Sequence, residues 1–234
     1  PLTAIAFFML TGELMTSATI TDRLVALSRA LIGRIRGGLA QVNVLVSMFF
    51  AGMNGSVVAD TATVGALVLP AMKKAGYPAA FSAAVTGVSS TIGGIIPPSI
   101  MMIVLANATE ISIASLFAAG IIPGILIGVV IMVINHYFAV KYNFERSDEP
   151  FSVRRAGKEL YRSSFALLIP LVLVGSVMGG VASVVEAGAI TALVALFTGV
   201  FVYRTIKWKD CTGAFRRAFR NSAMVFIIIA ASGP

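Results

Sequence analysis

The sequence predicts an all-α membrane protein, on three observations. Hydrophobic residues make up 58% of the 234 positions and charged residues only 12%, with a mean hydropathy of +0.93. Long apolar runs alternate with short basic connections, as in a chain that crosses a bilayer repeatedly. A single cysteine, Cys211, and a single histidine, His136, exclude an intramolecular disulfide and Cys- or His-rich zinc cages. Lipid and helix packing must therefore stabilise the chain.

The net charge of +8 reflects membrane topology rather than nucleic-acid binding. The basic residues lie between apolar runs and lack the interleaved aromatic platform of a nucleic-acid surface. We therefore expect membrane lipid, and no nucleic acid, around this protein.

Both ends of the sequence lie inside apolar runs. The first residue is Pro1, with no initiator Met and no charged leader segment, and the last run stops at Gly233 and Pro234 before reaching the roughly 20 residues of a spanning helix. We expect the sequence to be an internal fragment.

Four apolar runs predict spanning helices, and basic residues orient them. The predicted spans are residues 1–20, 113–140, 164–182 and 186–203, with the start of a truncated helix at 221–234. Connections 141–163 and 204–220 each carry six basic residues and are predicted to be cytoplasmic, whereas connections 107–112 and 179–186 carry none. The latter two are predicted to be external.

Residues 21–38 predict an amphipathic helix along the cytoplasmic surface. Leu24, Leu27 and Leu31 share one face at helical spacing, and Arg23 and Arg29 lie elsewhere. Such a helix lies in the membrane interface rather than across it.

Residues 39–70 predict a re-entrant helical hairpin. Basic residues flank the segment on both sides, so it must enter and leave the membrane on the same face. Gly52, Asn54, Gly55 and Ser56 supply a turn at its centre, which leaves about 13 residues for each arm, too few to span. The tip is therefore expected at mid-membrane.

Residues 79–106 predict a transmembrane helix that is unwound in its middle. Pro97 and Pro98 donate no backbone hydrogen bond, so carbonyls near Gly93 and Gly94 lose their partners. Such backbone is tolerated at membrane depth only inside protein or beside a wet cavity. A simple proline kink is the alternative interpretation.

The two broken segments could together form a binding site. Free carbonyls and nearby hydroxyls suit a small hard cation such as sodium, and the helix N-termini after Ser56 and Ser99 suit a carboxylate. The hydroxyl groups belong to Ser89, Ser90, Thr91 and Ser99.

Three acidic residues lie within or near the apolar runs. Asp60, in the first turn of the second hairpin arm, is predicted to cap that helix rather than relay protons. Glu13 is predicted to pair with a basic residue of a neighbouring helix, and Glu186 to act at an interface or gate.

The sequence does not predict an enzyme. Ser89, Ser90 and Ser99 in the predicted break lie at mid-membrane, away from the only histidine, which could otherwise activate a serine nucleophile. The sequence also has no glycine loop followed by Lys-Ser or Lys-Thr that would bind ATP. An ion channel remains an alternative, although a selectivity filter is normally built from a loop that is repeated around a symmetric pore.

Six runs of the sequence form recognisable motifs, namely FFMLTGELM at 7–15, GGLAQVNV at 37–44, FAGMNGSVVAD at 50–60, PAMKKAGY at 70–77, SSTIGGIIPPS at 89–99 and LFAAGIIPG at 116–124. Together they resemble the large membrane subunit of tripartite ATP-independent periplasmic (TRAP) transporters. The resemblance implies a multi-pass protein of the bacterial inner membrane with elevator-type architecture, of which this chain holds one half and part of the second. It also implies a sodium-coupled importer of organic acids, such as C4-dicarboxylates or sialic acids.

The resemblance further implies partners, an ion and site residues. The partners are a small membrane subunit and a periplasmic substrate-binding protein; sodium is the coupling ion, without another cofactor. The implied substrate residues are Asn54, Gly55, Ser56 and Ser99. The implied sodium ligands are Asn54, Ser56, Ser90, Thr91, Gly93, Gly94 and Pro97, with Asp60 and Pro98 in structural roles.

One motif departs from the family, and one related carrier remains possible. The run Ser183-Val184-Val185-Glu186 stands where the family usually has Thr-Pro-Thr-Glu, so no family role transfers to Glu186. A sodium/dicarboxylate carrier that needs no binding protein would share the hairpin.

Overall fold

The computed structural model describes residues 2–33, 35–144 and 152–232, and all regular structure in this part of the chain is helical. The all-α prediction is therefore confirmed for these residues. The helices are α1 (Thr3–Ser17), α2 (Ile20–Ile32), α3 (Gly38–Asn54), α4 (Val57–Lys74), α5 (Ala79–Ser90), α6 (Ile100–Thr109), α7 (Ile113–Lys141), α8 (Val153–Met178), α9 (Val184–Phe197) and α10 (Trp208–Ser232).

Three helical segments are long and apolar enough to cross a membrane. They are α7, α8 and the stretch Val184–Val202, in which α9 continues through a short π-helical turn. The pair α1 and α2 would make a fourth span, but it is bent by 72°. The bend follows from Thr19, whose φ of 53° interrupts the helix two residues after α1 ends.

The helix α2 has the amphipathic character that its sequence predicts. Leu24 and Leu27 are buried against the protein, whereas Asp22 and Arg29 are exposed. The helix packs against α3 and α8, so other helices cover part of its apolar face. Its amphipathic pattern also suits a membrane interface.

Two helices begin earlier than the apolar runs indicate. Helix α8 starts at Val153, where the Ser152 side chain accepts a hydrogen bond from the Arg155 N–H at 3.3 Å. Helix α10 starts at Trp208 and includes most of the predicted connection 204–220. In each helix the basic first turns continue directly into the apolar turns, because no proline stands between them. Residues 145–151 of the connection predicted at 141–163 lie outside the described residues.

The predicted hairpin segment contains two helices, α3 and α4, joined at Gly55 and Ser56. Gly55 adopts a left-handed conformation (φ 61°), which ends α3. The arms contain 17 and 18 residues instead of the predicted 13 or so, because α3 starts at Gly38 and α4 continues through Pro70 to Lys74. At 1.5 Å per residue each arm is about 25 to 27 Å long, slightly less than the hydrocarbon thickness.

The second predicted break lies between α5 and α6. The chain leaves α5 at Ser90, forms one 3₁₀ turn over Thr91–Gly94, and becomes irregular until Ser99 caps α6. The Ser99 hydroxyl accepts from the Met102 N–H at 3.3 Å.

A glycine stripe on α7 covers the irregular backbone of this break. A methyl group at Gly120 would meet the Ile95 carbonyl, and one at Gly124 would meet the Ile96 side chain. Only residues without a Cβ permit so close an approach of the two segments. The irregular backbone is thus packed against protein, as membrane depth requires.

Helix α3 lies at the centre of the fold and positions the hairpin tip. Most of its residues are buried, and it contacts α2, α4, α5 and α7. On one side of this core, α1 packs against α9 and α10.

An ion pair connects α1 to α10. Glu13 accepts hydrogen bonds from the Arg217 Nε at 2.7 Å and from the Asn221 Nδ2 at 3.1 Å. The pairing predicted for Glu13 is therefore confirmed, with the basic partner on the last helix.

The hairpin topology predicts how introduced cysteines react in the membrane-embedded protein. With Cys211 replaced by Ser, Arg36→Cys and Lys73→Cys should both react with an impermeant thiol reagent only from the cytoplasmic face, because a hairpin returns to the face it left. Both positions are exposed, as is the external control position Asn107. Reaction of the first two positions from opposite faces would eliminate the hairpin.

Candidate functional site

The hairpin tip and the break between α5 and α6 contact each other. The Gly55 carbonyl accepts a hydrogen bond from the Ile100 N–H at 3.1 Å. A Cβ at Gly93 would lie 3.7 Å from the Ser56 carbonyl carbon. The two segments, roughly 40 residues apart in the sequence, therefore meet as predicted.

Two helix N-termini begin at this junction. The Ser56 hydroxyl caps α4 by accepting from the Ala59 N–H at 3.3 Å, and Ser99 caps α6 in the same way. Gly55 directly precedes the Ser56 cap of α4 and contacts Ser99 and Ile100 at the start of α6. Two positive helix ends at one place form an environment suited to an anion.

The residues with predicted sodium or substrate roles have different surroundings. The Asn54 Oδ1 accepts from the Ser56 N–H at 3.0 Å, whereas its buried Nδ2 has no hydrogen-bond partner among the described residues. The Gly94 carbonyl, predicted to be free, accepts from the Ser99 hydroxyl at 2.8 Å. Thr91 is exposed and donates to the Val88 carbonyl at 2.7 Å, so its side chain is not part of the junction.

Asp60 does not form the predicted capping hydrogen bond. Ser56 occupies the cap position of α4, and Asp60 lies one turn later with no exposed surface. Neither oxygen of its carboxylate has a hydrogen-bond partner in the described part of the chain. The hydroxyls of Ser47 and Ser90 lie beside it and donate to the Ser89 hydroxyl and the Thr86 carbonyl, and either hydroxyl could rotate to donate to Asp60 instead. A carboxylate this deeply buried calls for a cation or a proton as its partner.

Polar side chains of α3 and α5 form a buried network next to Asp60. Asn43 donates to the Thr86 hydroxyl at 2.7 Å and accepts from the Ser89 hydroxyl at 3.2 Å. The Ser47 hydroxyl donates to Ser89 at 3.2 Å. The sequence interpretation missed Asn43, Ser47 and Thr86, although their helical spacing within apolar runs was a detectable signal.

Glu186 lies apart from this junction, at the start of α9. Its carboxylate accepts from the Ser183 N–H at 2.8 Å, and its N–H donates to the Ser183 hydroxyl at 3.3 Å. This reciprocal pair is a capping box, which gives the residue a local structural role.

Replacing Glu186 by Gln should leave the thermal stability of the protein close to wild type. Glutamine also closes a capping box, so the start of α9 is preserved while the negative charge is lost. Thermal unfolding in detergent measures this, with Glu186→Ala, which cannot close the box, as the less stable comparison. Equal loss of stability in the Gln and Ala variants would instead show that the negative charge itself is needed at this helix start.

Comparison with known proteins matches the sequence that forms this site to a transporter family. The family model "Tripartite ATP-independent periplasmic transporter, DctM component" matches residues 1–233. The chain is 36% identical over 229 residues to the C4-dicarboxylate TRAP transporter large permease protein DctM of Pseudomonas aeruginosa, covering 98% of this chain and 53% of the relative.

Two further relatives carry different substrate names. The sialic acid TRAP transporter large permease protein SiaM of Vibrio cholerae is 34% identical over 228 residues, covering 97% of this chain and 53% of the relative. The 2,3-diketo-L-gulonate TRAP transporter large permease protein YiaN of Escherichia coli is 34% identical over 231 residues, covering 99% and 54%. The chain spans about half the length of these relatives.

The family match and the apolar helices place the protein in the bacterial inner membrane. The match extends over nearly the whole chain and includes both the hairpin tip and the break between α5 and α6. The chain therefore belongs to the DctM component family of tripartite ATP-independent periplasmic transporters.

Proposed function

We propose that the chain is the part of a permease that couples uptake of an organic acid to sodium. The observation that carries the proposal is the fully buried Asp60 carboxylate, which has no hydrogen-bond partner among the described residues and lies one turn from the junction of two broken helical segments. A bound sodium ion would neutralise this charge during transport.

The substrate class follows from the relatives and from the helix ends at the junction. A C4-dicarboxylate, a sialic acid and 2,3-diketo-L-gulonate, named for three relatives, share a carboxylate group. Backbone N–H groups at the starts of α4 and α6 would bind such a group. The substrate residues are then Asn54, Gly55, Ser56 and Ser99.

The proposed sodium site uses oxygen atoms around the same junction. Its ligands come from Asn54, Ser56, Ser90, Gly93, Gly94 and Pro97, with Asp60 supplying the negative charge and Pro98 holding the backbone. Thr91 is omitted because its side chain is exposed, unlike the buried Ser90. Hard oxygen ligands of this kind suit small cations.

The proposed mechanism is an elevator, with α3 and α4 forming a re-entrant hairpin that moves with the substrate. Membership of the family supports two partners, a small membrane subunit and a periplasmic binding protein that delivers the organic acid. In this mechanism the tip at Gly55 and Ser56 separates the substrate from one side of the membrane.

A transport assay tests this function. The full-length permease with its small subunit is reconstituted into liposomes, and the binding protein is loaded with one organic acid at a time. Uptake should require an inward sodium gradient and the binding protein together. Uptake without the binding protein would instead indicate an independent sodium/dicarboxylate carrier, and conductance without substrate would indicate a channel.

A further inference from the structure

A groove lies at the far end of the hairpin from the tip, outside the site described above. It has a volume of about 700 Å³, within the range of ligand-binding clefts. It forms where α4 ends, α5 begins and α7 ends. Its lining residues are Ala75, Gly76, Pro78, Ala80, Phe81, Phe138, Tyr142, Asn143 and Phe144.

The floor of this groove is aromatic and only partly covered by protein. The Phe81 and Phe144 rings lie 5.0 Å apart, and those of Phe138 and Tyr142 lie 5.9 Å apart. Phe81, Phe138 and Phe144 are half-buried, and Tyr142 is 58% exposed. Aromatic residues concentrate where a membrane protein crosses the headgroup region, and their faces pack well against acyl chains.

The rim of the groove is positively charged. Lys73 and Lys74, in the last turn of α4, are exposed and directly precede the lining residues Ala75 and Gly76. The Lys141 ammonium lies 5.8 Å from the centre of the Tyr142 ring. Within the described ranges none of these three lysines forms an ion pair, and no acidic residue lines the groove. Their charge is therefore available to an anion.

We propose that the groove binds an anionic phospholipid, with its phosphate at the lysines and an acyl chain against the aromatic floor. An apolar floor with a cationic rim complements an amphiphile that has a negative headgroup. A soluble anion would satisfy the lysines but leave the rings in water. The basic residues also assign this end of the hairpin to the cytoplasmic leaflet, where anionic headgroups attract lysine.

Photolabelling tests this proposal. The full-length permease is placed in phosphatidylethanolamine nanodiscs containing phosphatidylglycerol with a diazirine in one acyl chain, and labelled peptides are mapped by mass spectrometry. Label should appear in the peptides that contain Phe81 and Phe138 and should be competed by unlabelled phosphatidylglycerol. Replacing Lys73, Lys74 and Lys141 by Gln should reduce this labelling at least about five-fold, because lysines near a membrane surface attract anionic lipid.

The chain provides a matched control for this experiment. The other three of its six lysines, Lys158, Lys207 and Lys209, are also exposed but do not line the groove. Replacing them by Gln removes the same charge and should leave the labelling unchanged. Equal labelling by a phosphatidylcholine probe, equal loss in the control variant, or no label in these peptides would each overturn the proposal.

A second variant tests the acyl-chain part of the groove. Ala80 is exposed on the groove wall, so Ala80→Phe should occupy part of the groove without removing any charge. Labelling should fall at least about three-fold, because the new ring would cover aromatic surface that the acyl chain otherwise contacts, and apolar contact area contributes to lipid affinity. Unchanged labelling in Ala80→Phe would place the acyl chain elsewhere and overturn this mode of binding.

Discussion

Replacing Asp60 by Asn is expected to reduce sodium-driven uptake by the full-length permease at least about ten-fold. The substitution nearly preserves the volume of the side chain but removes the negative charge. A charge-assisted contact contributes about 1.5 to 3 kcal/mol, equivalent to about ten-fold or more in sodium affinity. Because the carboxylate is fully buried, solvent cannot replace the missing charge.

The measurement is the initial uptake rate as a function of sodium concentration, at matched expression in the membrane. The loss should take the form of a higher sodium requirement rather than a changed preference among organic acids. Asp22→Asn provides a charge-matched control, because Asp22 is exposed on α2 and far from the junction in sequence. Its uptake should resemble wild type.

Asp60→Glu and Asp60→Leu separate charge from structure. Glu keeps the charge and should retain part of the sodium-driven uptake, whereas Leu should lose as much as Asn or more. Uptake by Asp60→Asn with wild-type sodium dependence would show that the charge is not used for coupling. If Asp60→Asn lost the pH dependence of uptake and kept the wild-type sodium dependence, Asp60 would be a proton carrier.

Replacing Gly55 by Ala is expected to abolish uptake, because the change affects the tip in two ways. At φ 61° a residue with a Cβ is strained by about 1 to 2 kcal/mol. The added methyl group would also collide with the Pro98 carbonyl oxygen, which is part of the backbone of the break. Relief of this collision requires the hairpin tip and the break to move apart, which would disrupt the proposed substrate and sodium sites together.

Two other glycines separate these effects. Gly76 has a φ of 79° with open space around it, so Gly76→Ala measures backbone strain alone. Gly87 lies inside α5, also with open space, so Gly87→Ala measures an added methyl group alone. Gly76→Ala should lower thermal stability modestly, and both variants should retain most uptake. Wild-type uptake by Gly55→Ala would mean that close contact at the tip is not required.

Local sequence chemistry was sufficient to predict where the helices break. Pro97 and Pro98 are adjacent and both lack a backbone N–H group, and Gly55 accepts a left-handed conformation at low cost, so these positions favour breaks in the helices. A single proline inside an apolar run did not have this effect, since Pro70 lies inside α4. The apolar runs likewise predict helices, because backbone groups in lipid must be satisfied within one segment. The resemblance to the TRAP family, which the comparisons confirm, rests on the same motifs.

Helix ends were predicted less well than helix breaks. Hydropathy separated the basic first turns of α8 and α10 from their apolar continuations, yet each is one continuous helix. Hydropathy reports the solvent that a residue meets, whereas a helix ends only where its hydrogen bonding is interrupted. The start of α8 at the Ser152 cap illustrates this difference.

Tertiary structure alone determined the surroundings of Asp60. From the sequence, Asp60 could reach the N-terminus of α4, and only the packing of α3 and α5 against α4 shows that its carboxylate faces Ser47 and Ser90. The hydrogen-bond network around Asn43 likewise depends on packing, because it joins residues that are 42 to 46 positions apart in the sequence. The sequence thus determined the membrane class, the hairpin turn and the break, because these depend on local backbone chemistry. Packing decided which polar groups meet, because such contacts depend on how helices distant in sequence lie against one another.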